Sequence, residues 1–226
     1  MSYQHIQFPR YTLDQNKKLY NVIKESGELR KLKKDEILHL QEDPPTQFYF
    51  VKSGQLRSYL VSDDGRIITV EIVGEGRLYG LASYAANLPR PCSCSAVVDT
   101  ELFCLNYNKL EPYIKKDHQI ALDFFHLLGD TIYILVGQIN NLSFYNAEKR
   151  IAHSLLHLGE YYKKSTSDSS YSLNYTHQEI ADFSSINRVT ANRVLHKFEK
   201  NGWVSLKYGS IVISDEQALK EVLLSE

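Results

Sequence analysis

The stretch that most constrains how this chain folds is residues 176–198, which have the pattern of two short helices joined by a tight turn. Thr176 is a favourable N-cap, and Glu179 follows it at the three-residue spacing of a capping box. The apolar residues that come next predict a first helix that ends near Phe183. The serine pair at 184–185 marks the turn, because serine favours turns over helix interiors.

The second helix of this stretch is predicted to bury one face and to present polar side chains on the other. Its apolar residues recur at helical spacing, and they are Val189, Val194, Leu195 and Phe198. Its polar residues cluster near the helix start, and they are Asn187, Arg188, Thr190 and Arg193. A recognition helix presents side chains to the major groove of DNA in this way. Any two helices about a short turn also bury one face, so a purely structural role is the alternative.

The residues after the second helix favour the DNA-binding interpretation. Two short strands, 202–206 and 210–213, are predicted about a turn at 207–209. A hairpin wing behind a helix-turn-helix completes a common DNA-binding unit, with phosphate contacts from the first helix start and from the wing tip. We expect base contacts from Asn187, Arg188, Val189 and Arg193, and phosphate contacts from Thr176, Gln178, Thr190 and Lys207.

Composition adds bounds to this interpretation. At 226 residues and 43% hydrophobic content, the chain is long enough for two domains. Its net charge of -1 gives no bulk basic field, and the basic residues that accompany the predicted helices are local. We find neither an apolar run near 18 residues nor a secretory leader pattern, and only three cysteines, so we expect a soluble cytoplasmic protein without a membrane partner.

The residues from 32 to 105 have the pattern of an antiparallel β-sandwich or roll. Short apolar runs alternate with turn signals at 36–40, 47–51, 56–61, 67–73, 94–98 and 101–105. Gly74, Gly76 and Gly80 are interpreted as turn glycines, because no phosphate-loop lysine follows them. Residues 11–26 are predicted to form an amphipathic helix in front of the roll.

A long helix is predicted over residues 117–145. Its apolar seam consists of Ile120, Phe124, Leu128, Thr131 or Ile132, Leu135, Ile139 and Leu142. About 28 residues span roughly 40 Å, more than one small sheet would cover, so we expect a parallel dimer with Leu128, Leu135, Ile139 and Leu142 at its interface. The alternative is a helix buried against its own sheet.

The remaining chain completes an α+β fold in three parts. Asn146 is a plausible cap for a helix over 148–162, a loop follows at 163–170, and Ser214-Asp215 caps a short final helix. The expected parts are an effector-sensing β-roll domain (1–116), a dimerisation helix with a hinge (117–146), and a winged helix-turn-helix domain (147–226).

In this order of parts the chain resembles the bacterial transcription regulators of the CRP/FNR family, which includes the catabolite activator protein and the fumarate–nitrate regulator. The resemblance covers nearly the whole chain and rests on Gln178-Glu179-Ile180-Ala181, Asn187-Arg188-Val189-Thr190, Arg193-Val194-Leu195, Arg150-Ile151-Ala152 and Gly74-Glu75-Gly76. It implies a cyclic-nucleotide-binding-like jelly roll and a homodimeric, ligand-responsive regulator, an activator or a repressor. It also implies palindromic double-stranded promoter DNA and RNA polymerase as partners.

The chain departs from the cyclic-AMP-binding members at the residues that the resemblance makes decisive. Where those members carry a ribose-binding glutamate and an arginine–serine pair, this chain has Leu81 after Gly80 and Pro91 after Arg90. We therefore expect an effector other than cyclic AMP, small, largely apolar or aromatic, and anionic, as in family members that sense halogenated phenols. The expected pocket residues are Gly80, Leu81, Arg90, Pro91, Thr131, Leu135 and Val136, with Arg90 as the cationic anchor. A pocket filled by the protein's own core is the alternative.

No metal or other cofactor is expected. An iron–sulfur cluster needs four cysteine ligands, and the first cysteine here is Cys92. Cys92 and Cys94 lie on the same side of a predicted strand and are interpreted as buried thiols, with a redox or metal role as the alternative. His153 and His157, one helical turn apart, are interpreted as part of a solvated face, since no third metal ligand accompanies them.

Other classes of function fit the sequence less well. A metal-dependent β-roll enzyme would need clustered histidines, whereas the eight histidines here are scattered, and we find no nucleophile–base pair, so no enzyme is expected. An effector-independent or cysteine-based redox regulator of the same family remains an alternative. A non-catalytic module of the cyclic-nucleotide-binding type is another.

Overall fold

The computed structural model describes residues 17–65, 67–162 and 170–225, and the chain divides into two compact units. Of the described residues, the first unit, here called the roll unit, contains 17–65 and 70–136. The second, here called the winged-helix unit, contains 67–69, 137–162 and 170–225. The boundary between the units therefore falls within the long helix, whereas the sequence placed domain boundaries at its two ends.

The roll unit contains most of the strands, and one of them begins with residues 67–69 of the other unit. Its elements in chain order are α1 (Lys17–Ser26), β1 (Glu28–Leu32), β2 (Ile37–His39), β3 (Phe48–Ser53), β4 (Gln55–Val61), β5 (Ile67–Gly74), β6 (Leu78–Tyr79), α2 (Leu81–Ala86), β7 (Ser93–Ala96), β8 (Thr100–Leu105) and α3 (Tyr107–Lys116). The long helix α4 (His118–Phe144) begins in this unit and ends in the other.

The strands form two four-stranded sheets, in the orders β1-β8-β3-β6 and β2-β7-β4-β5. Their antiparallel pairing confirms the predicted roll; Phe50 of β3, for example, stands opposite Phe103 of β8. The buried residues between the sheets are Leu32, Leu38, Tyr49, Val51, Leu56, Val73, Tyr79, Cys94, Ala96 and Leu102. The apolar runs in the sequence therefore located the strands that line this core.

A second core lies where the helices cover one of the sheets. Ile120, Phe124 and Leu127 of α4 pack there with residues of α1 and β3 and are at most 8% exposed. The Phe124 ring meets Phe48 edge-on, with the ring centroids 6.3 Å apart. The assignment of Ile120 and Phe124 to a dimer seam is therefore wrong, because the first turns of α4 bury these side chains within their own unit.

A different row of α4 residues stays exposed. The row, here called the α4 stripe, is Leu122, Phe125, Gly129, Ile132, Val136, Ile139 and Ser143, with alternating steps of three and four residues. Its large apolar members are 44–68% exposed. Of the predicted interface, Ile139 lies on this stripe, whereas Leu128, Leu135 and Leu142 are half-buried, each one position before a stripe residue.

Within the described residues, α4 is a helix long and apolar enough to cross a membrane by length and composition alone, with a mean hydropathy of 1.5 over 18 residues. The sequence reading had found no apolar run of that length. Polar residues interrupt the helix, and two of them, Asp123 and Asn141, are buried within the protein. The first turns of α4 also belong to the roll core. We therefore interpret the apolar residues of α4 as two sets, one in that core and one in the exposed α4 stripe.

The winged-helix unit holds the remaining elements. They are α5 (Ala147–Gly159), β9 (Tyr171–Leu173), α6 (His177–Phe183), α7 (Arg188–Lys200), β10 (Val204–Lys207), β11 (Ser210–Ile213) and α8 (Glu216–Leu224). The predicted wing strands pair as β10 and β11, and β9 extends them to a three-stranded sheet. The predicted N-caps Asn146, Thr176 and Asp215 are all confirmed by their hydrogen bonds. Residues 11–16 and most of the predicted loop at 163–170 lie outside the described residues.

The interior of the roll unit contains an ion pair. A guanidinium nitrogen of Arg77 lies 3.3 Å from a carboxylate oxygen of Glu71, and the two side chains are 4% and 5% exposed. The same nitrogen is 3.4 Å from the Thr131 hydroxyl on α4. Burial raises the pKa of Glu71 to about 7, and the positive charge of Arg77 acts in the opposite direction.

This raised pKa predicts how Glu71→Gln changes the pH dependence of stability. The folded protein holds the Glu71 proton more tightly than the unfolded chain, so this residue lowers the free energy of unfolding as pH rises from about 4.5 to about 7. Urea denaturation across that range should show the decline in the parent and less of it in Glu71→Gln. The exposed neighbour serves as control through Glu75→Gln, and equal pH profiles for the parent and Glu71→Gln would contradict the assignment.

Candidate nucleic-acid interface and effector site

The helix α7 has one buried face and one face open to solvent. Ala191, Val194, Leu195 and Phe198 are at most 3% exposed and anchor it in the unit. On the open side Arg188 and Arg193 are exposed, and Val189 is 80% exposed. Val189 is therefore an exposed apolar side chain between two exposed arginines.

Two of the predicted DNA contacts are N-caps whose side-chain oxygens already serve the helices. The Asn187 Oδ1 atom accepts a hydrogen bond from the Thr190 amide at 2.8 Å, which leaves only its NH2 group for DNA. The Thr176 hydroxyl accepts from the Glu179 amide at 3.2 Å and donates to the Glu179 carboxylate at 2.8 Å. The capping box inferred from the sequence is therefore present.

The other predicted phosphate contacts lie at the edges of the unit. Gln178 is exposed in the first turn of α6, where its Nε2 atom donates to Asp182 at 2.8 Å. Thr190 is half-buried in the first turn of α7. Lys207 ends β10 beside Tyr208, which is fully exposed at the wing tip. A cationic and an aromatic group therefore stand together at the tip of the wing.

Sequence reasoning missed a polar chain that links α6, α7 and the wing. His177 Nδ1 lies 2.8 Å from Asn192 Oδ1, and His196 Nδ1 lies 3.2 Å from a Glu199 carboxylate oxygen. The other oxygen of Glu199 accepts from the Leu206 amide at 3.0 Å. Their spacing could have indicated this chain, since Asn192 and His196 follow Val189 by three and seven residues and so lie on the same face of the helix.

Glu199 is the charged centre of this chain. The hydrogen bond from the Leu206 amide, and then the one from His196, lower the pKa of its carboxyl group. The carboxylate is therefore ionised at neutral pH and acts only as an acceptor.

Within the winged-helix unit, Arg150 connects the end of α4 to the helix-turn-helix. Its guanidinium donates to the carbonyl oxygens of Leu142 at 2.7 Å and Tyr145 at 3.0 Å. A third bond of 3.3 Å reaches the carbonyl of Ser185, which has a φ of 52° in the turn between α6 and α7. Arg150 thus satisfies carbonyls at the negative end of a helix and holds a turn residue in the left-handed region.

In the roll unit, Arg90 is almost fully buried, at 2% exposure. It donates to the Gly80 carbonyl and to the Ser83 hydroxyl, each at 2.9 Å, and also to the Gln47 carbonyl. Its guanidinium lies 5.5 Å from the centre of the Tyr49 ring. Ser83, one turn into α2, was not anticipated, although its spacing from Gly80 could have suggested it.

Gly80 is required at its position for two reasons. Its φ is 75°, a backbone conformation that residues other than glycine rarely adopt. A Cβ atom at this position would also lie only 2.4 Å from the Arg90 guanidinium. Gly80 and Arg90, two of the residues predicted to line an effector pocket, are therefore in contact.

The structure distributes the other predicted pocket residues unevenly. Leu81 and Leu135 are half-buried, and the half-buried Thr131 donates to the Leu127 carbonyl at 3.0 Å. Pro91 is exposed, and Val136 is 60% exposed on the α4 stripe. Gly80, Arg90 and Thr131 thus remain the predicted pocket residues with polar contacts inside the roll unit.

The cysteine pair lies inside the roll. Cys92 is 8% exposed, with its sulfur 2.9 Å from the Ser58 hydroxyl and 3.7 Å from the Tyr79 hydroxyl. Cys94 is fully buried, and burial raises the pKa of its thiol. A thiol with a raised pKa is poorly reactive at neutral pH.

The interpretation of His153 as part of a solvated face is wrong. His153 is half-buried, its Nδ1 lies 3.3 Å from Asn141 Nδ2, and its ring meets that of His157 with centroids 6.1 Å apart. Burial lowers the pKa of His153 to about 4. Within the described part of the chain, no three His, Cys, Asp or Glu side chains are grouped to hold a metal ion.

Comparisons with known proteins agree with this architecture. Residues 29–117 match the model of the cyclic nucleotide-binding domain, and residues 149–222 match that of the Crp-like helix-turn-helix domain. The chain is 28% identical over 187 residues to the cyclic AMP receptor protein of Thermus thermophilus, a match that covers 80% of this chain and 82% of the relative. It is 22% identical over 205 residues to the anaerobic regulatory protein of Bacillus subtilis, with 89% and 86% covered.

The fold has close counterparts among known structures. A transcriptional regulator of the CRP/FNR family from Thermus thermophilus superimposes with a TM-score of 0.74 at 23% identity, over 88% of this chain and 99% of that one. A β-roll, a long helix and a winged helix-turn-helix in this order define a class of DNA-binding transcription regulators. The chain belongs to the CRP/FNR family of bacterial transcription regulators.

Proposed function

We propose that the chain is a homodimeric, non-enzymatic regulator that binds palindromic promoter DNA and acts with RNA polymerase in the cytoplasm. The observation that carries the proposal is the open face of α7, where Arg188, Val189 and Arg193 are exposed without an ion pair among the described contacts. Selection of bound duplexes from a random pool tests it. Enrichment of an inverted repeat supports the proposal, and a pool in which no sequence is enriched overturns it.

The exposed residues of α7 predict what the half-site contains. An arginine can donate two hydrogen bonds to guanine O6 and N7, and a valine can contact only a thymine methyl group. We therefore propose that Arg188 and Val189 read a G·C pair beside a T·A pair. In a dimer, the two recognition helices enter successive major grooves, so the half-site centres should lie about 34 Å apart.

Arg188→Ala should weaken binding to the selected operator by about 1–3 kcal/mol and relax preference at a single base pair. The matched control is Lys207→Ala at the wing tip, which should weaken binding to all operator variants equally, since a phosphate contact carries no sequence information. Fluorescence anisotropy with a set of single-base operator variants measures both. If Arg188→Ala keeps the parental base preference at every position, Arg188 is not the base-reading residue.

The α4 stripe supports the proposed dimer. Its apolar residues alternate at coiled-coil spacing, and Gly129 in its middle allows two helices to approach closely. A second copy of the same stripe, related by twofold symmetry, would cover it. Leu128, Leu135 and Leu142 would flank that contact, so the proposed interface is rotated relative to the one predicted from the sequence.

Ile132→Asp should convert the dimer to monomers. An unpaired charge buried at the seam costs about 3–5 kcal/mol, which raises the dimer dissociation constant by more than about a hundredfold. The control is Leu88→Asp, which places the same charge at a residue of similar exposure in the roll unit, 60% against 63%. Sedimentation should show monomers for Ile132→Asp alone; a stable dimer of this variant would place the interface elsewhere.

For the effector, we propose a small molecule other than cyclic AMP, with an apolar or aromatic body and an anionic group. The support is the pair Leu81 and Pro91, which replace the polar ligands of the cyclic-AMP-binding members, while Arg90 supplies the cation for an anionic group. Arg90 donates to the chain's own Gly80 and Gln47 carbonyls, which the anionic group would have to displace. The same hydrogen bonds favour a second candidate, a regulator that needs no effector. A ligand changes DNA affinity only through its difference in affinity for the two states.

Isothermal calorimetry separates these candidates. Cyclic AMP should give no binding heat, whereas an aromatic acid or halogenated phenol from a small panel should bind the parent and bind Arg90→Lys more weakly. Lysine keeps the positive charge but cannot make the forked hydrogen bonds of arginine. Tight binding of cyclic AMP would refute the proposal. An absence of heat with the whole panel, together with unchanged operator binding, would favour the effector-independent regulator.

A further inference from the structure

The polar chain of the winged-helix unit places two histidines beside the open face of α7. His177 is half-buried in the first turn of α6, and the His196 side chain is 65% exposed on α7. Their ring centroids are 6.1 Å apart, at a nearly perpendicular angle of 84°. Neither histidine was among the DNA contacts expected from the sequence.

The hydrogen bonds determine which ring nitrogen each histidine presents. The ionised carboxylate of Glu199 can only accept, so His196 Nδ1 must carry the proton of that bond. His177 Nδ1 faces the side-chain oxygen of Asn192, which is also an acceptor, so the same tautomer follows. In both neutral rings, Nε2 is then unprotonated and offers only a lone pair.

This geometry has a chemical consequence at a DNA surface. Phosphate oxygens, guanine O6 and guanine N7 are all acceptors, and a bare Nε2 cannot bond to them. Protonation converts Nε2 into a donor and adds a positive charge, while the Nδ1 bonds to Asn192 and Glu199 stay intact. From this geometry we infer that His177 and His196 contact DNA phosphates and do so as imidazolium ions, so operator binding takes up protons. The inference rests on the proposed DNA-binding function.

Charged groups of both signs lie around the two rings. From α6, the first turn contributes His177 and Glu179, and the Glu179 carboxylate is held by Thr176. From α7, Glu199 faces both histidines and opposes their mutual repulsion, and Arg193 lies on the exposed face. From the wing, the described contact with this group is the uncharged Leu206 amide, which donates to Glu199.

The sign of the pH dependence follows from the preferred ionic form. DNA favours the imidazolium, so the pKa of a contacting imidazole is higher in the complex than in the free protein. The extra affinity is complete below the pKa of the free ring and is lost as pH rises through the pKa in the complex. Histidine is the side chain that changes charge around neutral pH, so affinity should fall as pH rises from about 6 to about 8.

The test uses the full-length protein and the duplex obtained by selection. At constant salt, its dissociation constant should rise from pH 6 to pH 8 by up to roughly tenfold for each histidine. The double variant His177→Gln, His196→Gln should bind more weakly at pH 6 and lose most of this dependence. The control is His126→Gln, which changes an exposed histidine of α4 and should keep the parental pH profile.

A measurement on the parent protein alone guards against misfolded variants. Calorimetry of operator binding near pH 7, in two buffers with different ionisation enthalpies, should show net proton uptake. A flat pH profile, an affinity that rises with pH, or binding without proton uptake would overturn the inference while leaving DNA binding intact. If the protein binds no duplex at any pH, the proposed function fails and the inference fails with it.

Discussion

The apolar surface of α4 is the constraint on which the rest of the structure depends. On one side, Ile120, Phe124 and Leu127 close the core of the roll unit. On the other side, the α4 stripe leaves several large apolar side chains more than 60% exposed. Water-exposed apolar area costs about 25 cal/mol per Å², so a helix with two apolar faces needs a second covering surface. The two apolar faces of α4 also explain why it is apolar enough, by length and composition alone, to cross a membrane.

The charged side chains inside the roll unit have partners in their own chain, whereas those on the open face of α7 are exposed. Arg90 in the roll interior is bonded to carbonyls of its own chain, and the buried pair of Glu71 and Arg77 neutralises itself. Burying a charge is tolerable only when partners compensate for the lost hydration, and the chain supplies them here. On α7, by contrast, Arg188 and Arg193 remain exposed and hydrated, so they are free to contact another molecule.

The sequence predicted those parts of the fold in which the local pattern of caps, turns and apolar residues matches which residues are buried. The capping box of Thr176 and the strands of the roll were readable because turn, cap and periodicity signals coincide there. The strand β1 was missed because it lies at a sheet edge and most of its residues are exposed. Ile120 and Phe124 were wrongly assigned to the seam of α4 because periodicity locates apolar rows without indicating which residues the chain's own core takes. The polar chain through His177 joins residues distant in sequence, so no local pattern indicated it.

The helix-turn-helix is held from several directions, and this bears on how it can read DNA. Ser185 has a positive φ, which costs a non-glycine residue of order 1–3 kcal/mol unless its surroundings enforce it. The bond from Arg150 to its carbonyl, and the 2.9 Å bond between the buried Ser184 and Ser154 hydroxyls, fix this turn. His177 ties α6 to α7, and Glu199 ties α7 to the wing. A reading face fixed before binding loses little conformational entropy on contact, so its arginines can contribute more of their interaction energy to specificity.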